Sequence, residues 1–73
     1  MHAIQVHIDE TLDAHALQEV ADSLRAIPHV EQVACNSNAP HELLVEYDEH
    51  HVQAMDIVDR LHQRGLHPDV ISG

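Results

Sequence analysis

The strongest constraint on this chain is the order in which its apolar residues change period. Ile4, Val6 and Ile8 alternate with Gln5, His7 and Asp9, a period of two that predicts a half-buried strand. Leu17, Val20, Ala21, Leu24 and Ile27 then recur three and four apart, which predicts an amphipathic helix. Asp13 stands where that helix needs an N-cap, and Pro28 where it must end. Val30, Val33 and Cys35 predict a second strand, with Cys35 in phase with Val33 and so directed into the core. Leu43, Val45 and Tyr47 alternate with Leu44 and Glu46 in a third strand, and Asn36-Ser37-Asn38-Ala39-Pro40 before it is turn chemistry that closes a hairpin. A second helix is expected from Asp48 or Glu49, with Val52, Met55, Val58 and Leu61 as its stripe and Gly65 as its C-terminal stop. Leu66, Pro68 and Val70 form a short last strand, which Pro68 confines to a sheet edge.

The order β-α-β-β-α-β predicts an α+β domain of the ferredoxin-like kind. Its four-stranded antiparallel sheet carries both helices on one face, with a right-handed first crossover. The 73 residues are expected to form one domain, residues 1–73. A core this small gains from a metal or a partner subunit. A disulfide within the chain is excluded, because Cys35 is its single cysteine. One cysteine, no charged-then-apolar leader and no long apolar run point to a cytoplasmic setting.

Three Lys+Arg against thirteen Asp+Glu give a formal charge of -10 with histidine neutral. That balance disfavours nucleic acid and anionic membrane as partners and favours cations or a protein with a basic docking patch. The nine histidines titrate near pH ~6.5 when unperturbed, so protonating them would nearly neutralise the chain. Catalysis is not expected: the only glycines are Gly65 and Gly73, so no loop cradles phosphate, and one aromatic residue makes no stacking platform. Cys35 reads as a small core hydrophobe, not a nucleophile.

Several segments resemble heavy-metal-associated domains, the modules of copper chaperones and metal-pumping ATPases. Ile4-Gln5-Val6-His7-Ile8 is similar to their first strand. Pro28-His29-Val30-Glu31-Gln32-Val33 resembles their Pro-Gly-Val-x-x-Val turn, and Val45-Glu46-Tyr47-Asp48 their Val-x-Tyr-Asp. Leu61-His62-Gln63-Arg64-Gly65-Leu66 resembles the end of their second helix. The likeness spans nearly the whole chain, with about one extra residue in the hairpin. It implies the same fold and a non-catalytic metal-binding role as chaperone, buffer or sensor. The family's Met-x-Cys-x-x-Cys is absent: its cysteine positions fall on Asp13 and Ala16 and its methionine on Thr11. The glycine of Pro-Gly-Val is His29, and the tyrosine after the last glycine is Leu66.

The predicted topology gathers Asp9, Glu10, Asp13, His15, Cys35, His41 and His67 at one pole. Asp13, His15 and His67, with His41 or Glu10 as a further ligand, are the candidate metal site. Imidazole with carboxylate points to Zn(II), Ni(II), Co(II) or Cu(II), and the missing thiolates set Cu(I) below them. The opposite pole collects His2, His29, His50 and His51, where adjacent histidines on a helix would diverge. His62 falls on the wet side of the second helix. His7, Leu44 and Ile71 are expected on the open sheet face, which offers a homodimer contact. Two further readings stay open: an interaction or regulatory module without a metal role, and a pH-responsive element.

Overall fold

A computed structural model describes residues 1–36 and 38–73, with only the backbone described for Asn36. The elements follow the predicted order: β1 (His2–Ile8), α1 (Ala14–Arg25), β2 (Val30–Asn36), β3 (Ala39–Tyr47), α2 (Ala54–Gln63) and β4 (Pro68–Ser72). The four strands make one antiparallel sheet in the order β2-β3-β1-β4. Pro68 therefore lies on an edge strand, as its missing N–H requires.

Alternation decides which face is covered. Ile4, Val6 and Ile8 of β1 and Leu43, Val45 and Tyr47 of β3 are buried, and the helices lay Leu17, Val20, Ala21, Leu24, Ile57 and Leu61 against them. The α1 helix begins as expected, with the Asp13 carboxylate accepting the Ala16 N–H at 2.8 Å. It ends before Pro28. The three arginines all serve the helix layer: Arg25 donates to the Val33 carbonyl (2.7 Å), Arg60 to the Ser23 carbonyl (3.1 Å), and Arg64 lies 3.8 Å from Glu19. Gly65 at φ +80 supplies the left-handed turn out of α2.

Four expectations need correction. The α2 helix starts at Ala54, not at Asp48 or Glu49. Asp48 closes a turn in its place: its Oδ1 accepts the His50 N–H at 3.0 Å, and its carbonyl accepts from His51 (3.0 Å) and Val52 (2.9 Å). The helix opens at Gln53, whose N–H donates to the Asp56 carboxylate at 2.8 Å. With the start moved, Ile57 and Leu61 form the buried stripe, Val52 is buried ahead of the helix, and Met55 is 59% exposed.

Cys35 keeps the phase of Val33, yet it is exposed. It stands near the end of an edge strand, beyond full cover by α1, and faces an open cleft lined by Leu12, Ala14, Leu17, Gln18 and Pro40. Desolvation against that wall pushes its thiol pKa up, with Arg25 opposing, so it is a poor nucleophile. Ala39 and Pro40 belong to β3 and not to the hairpin loop, and the turn expected at Ser37 lies outside the described residues. On the open face Leu44 pairs with Gln5 and Ala34, and Gln5 pairs with Ser72. β1 therefore stands between Leu44 and Ile71, which are not paired neighbours on the sheet.

The shifted stripe is checked by two substitutions in α2. Ile57→Ala is expected to cost about 2–5 kcal/mol in denaturant unfolding, as for a fully buried aliphatic. Met55→Ala is expected to change stability by no more than about 0.5 kcal/mol. Equal costs would contradict the helix phase.

Candidate metal centre

Every loop of this topology lies at one of two tips, and histidines stand at both. At the first tip β1 runs into α1, β2 turns into β3, and α2 leads into β4. Asp9 N–H donates to the His67 carbonyl at 3.2 Å. Glu10 accepts the His67 N–H at 2.9 Å through one oxygen and meets the ring Nδ1 through the other. The β1–α1 and α2–β4 loops are thereby fastened together. The Glu10 hydrogen bond, then its charge, with Asp9 adding, hold the His67 imidazole above its ordinary 6.5. The side-chain and then the backbone hydrogen bond from His67 hold Glu10 below its ordinary 4.5. His41 Nδ1 lies 2.9 Å from the Ile8 carbonyl. A carbonyl only accepts, so this nitrogen carries a proton, and in the neutral ring the lone pair is on Nε2. His7 stacks on His41 with ring centroids 5.6 Å apart.

The expected ligands are each engaged separately. Asp13 caps α1. His15, with 86% of its side chain exposed, lies along α1 with Nε2 2.7 Å from Glu19. His41 is anchored to β1 and His67 to Glu10. No three of Asp13, His15, His41 and His67 hold ligand atoms within 4.8 Å of one another.

The opposite tip is tighter. There the α1–β2 turn and the turn after β3 are joined by Asp48 N–H donating to the His29 carbonyl at 3.0 Å. His29, Asp48 and His51 each offer a ligand atom, all within 4.8 Å, and they are the one such group among the described residues. The His50 backbone N–H, then the His51 side chain, hold the Asp48 carboxyl below its ordinary 3.8. His2 packs edge-on to Tyr47 at 5.6 Å and takes no part. Adjacent His50 and His51 do not diverge on a helix, because they lie in the turn after β3, ahead of α2. Asp48 was legible only as a strand exit or helix start; its ligand geometry follows from that turn. The sequence did carry a sign at His29, which stands where the related segment has glycine.

No family model matches this sequence, and no curated relative matches it. Solved structures do. The chain is similar to the copper-binding domain from HMA7, a P-type ATPase (19% identity, 99% of this chain and 96% of that one, TM-score 0.87). It is similar to the yeast copper transporter domain CCC2A, solved in apo and Cu(I)-loaded states (17%, 97% and 96%, TM-score 0.85). It is also similar to the copper chaperone of Enterococcus hirae (20%, 93% and 98%, TM-score 0.81). At these identities the likeness is one of fold: the chain has the shape of heavy-metal-associated domains and lacks their cysteine pair. The ordering that set Cu(I) below Zn(II), Ni(II) and Co(II) is overturned, since these domains of the same shape are copper-binding ones and one was solved loaded with Cu(I). Physically, imidazole is itself a copper donor, so losing thiolates removes one ligand type and not copper as such. No described helix is long and apolar enough to cross a membrane.

The Glu10–His67 latch has a defined pH window. The raised His67 contributes fully below 6.5, and its contribution fades as pH rises through its folded value. The lowered Glu10 contributes fully above 4.5, and its contribution fades as pH falls through its folded value. Both are in force between those limits. NMR titration is expected to show the His67 ring titrating above 6.5 and falling back toward it in Glu10→Gln. An unchanged titration in that variant would contradict the latch.

Proposed function

We propose that this chain is a small, non-catalytic copper-handling domain, a chaperone or buffer, in which imidazole replaces thiolate as the copper donor. The observation that carries this reading is a whole-length likeness in shape to copper-binding domains, in a chain with nine histidines and one cysteine. A surface of formal charge -10 concentrates cations and suits docking on a partner protein with a basic patch. At the first tip the residues offered are His15, His41 and His67 with Asp13. The exposed His15 and His67 must leave Glu19 and Glu10 to converge on an ion. Copper there competes with those two pairs.

The discriminating measurement is a thermal melt of untagged protein with and without copper, added as Cu(I) under ascorbate and separately as Cu(II) in air. An ion that binds only the folded chain adds about 2.7 kcal/mol at a hundredfold over Kd. For a domain of this size that is a rise of roughly 10 °C or more. No rise with either form would favour the interaction module, which keeps the scaffold and has no metal role.

A further inference from the structure

The tip opposite the expected metal loop carries an organised donor set. Asp48 is fixed at three points: its N–H on the His29 carbonyl (3.0 Å), its Oδ1 on the His50 N–H (3.0 Å), and its Oδ2 against His51 Nδ1 (2.8 Å). A carboxylate bonded to an imidazole in this way fixes the ring's orientation. His29 lies over His51, ring centroids 4.2 Å apart and 19° from parallel.

His29 reaches that place at a cost. It is the only non-glycine residue with positive φ among the described residues, at 69°. A left-handed backbone crowds the Cβ of an L-residue, a strain that glycine avoids. Nothing in the turn requires a side chain here, since the bond that joins the two turns uses the His29 carbonyl alone. What the side chain adds is a second imidazole beside His51. The protein thus accepts backbone strain at the one position that brings two ring nitrogens and a carboxylate oxygen within ligand reach.

We propose that His29, His51 and Asp48 form a copper site at the pole opposite the β1–α1 loop, with two imidazole nitrogens and one carboxylate oxygen as ligands. This inference rests on the copper-handling reading and locates an ion within it. Imidazole is a copper donor, and the carboxylate offsets the ion's charge. The three groups lie on two turns clamped by a backbone hydrogen bond, so only the exposed rings move on binding. On binding, the ion takes the place of the proton shared by His51 Nδ1 and Asp48 Oδ2, which is released to solvent, and a rotation of the His29 ring out of its stack turns a lone pair toward it.

The substitution that separates site from scaffold is His29→Gly. It removes one ligand and relieves the positive φ, so the metal-free variant is expected to melt no lower than the parent. Wild type and variant are titrated anaerobically with Cu(I), which is diamagnetic and leaves imidazole resonances readable. In the wild type the His29 and His51 resonances shift together and saturate. In His29→Gly the His51 shift is lost, or needs at least tenfold more copper. His51→Gln is expected to lose the His29 shift in the same way, while His67→Gln leaves both. If His29→Gly binds as the wild type does, the site is wrong and the copper reading stands. If the wild type takes up copper neither as Cu(I) here nor as Cu(II) in the thermal melt, both fall.

Discussion

The alternation of β1 and β3 is the constraint from which the rest follows. These two central strands bury Ile4, Val6, Ile8, Leu43, Val45 and Tyr47 on one side, and two helices must cover that side. A one-residue slip in either strand would turn its apolar set to water. With the register fixed, the chain can turn only at the two ends of the sheet. Polar residues far apart in sequence are therefore delivered to two small tips. Glu10 meets His67 at one of them, and His29 meets His51 at the other.

Much of this was legible in the sequence, because apolar period reports burial directly. Both helices, all four strands, the Asp13 cap, the Gly65 stop and the edge position of Pro68 can be read from it. The misses share a cause: periodicity shows which way a residue points but not what stands opposite. Cys35 points to the covered side, but α1 does not reach that corner of an edge strand. Asp48 suits a helix opening by residue type, but its carboxylate and carbonyl close a turn and α2 starts only at Ala54.

The candidate sites show the same division. Topology correctly grouped histidines by tip, since strand direction fixes which loops are neighbours. It could not choose rotamers, and local partners decided those. Asp13 is drawn to the helix N–H, His15 to Glu19 one turn along α1, and His67 to Glu10. At the other tip the decisive fact was a backbone angle at His29, visible in sequence only as a histidine where glycine would be at ease.

On a scaffold shared with copper-binding domains, this chain offers imidazole and carboxylate in quantity and a single, pKa-raised thiol. The ligation we propose is therefore by nitrogen. X-ray absorption on the Cu(I)-loaded protein tests this most directly. The account predicts a first shell of nitrogen and oxygen only, with the outer-shell scattering of imidazole rings. A sulfur shell, from Cys35 of one or two chains, would contradict it.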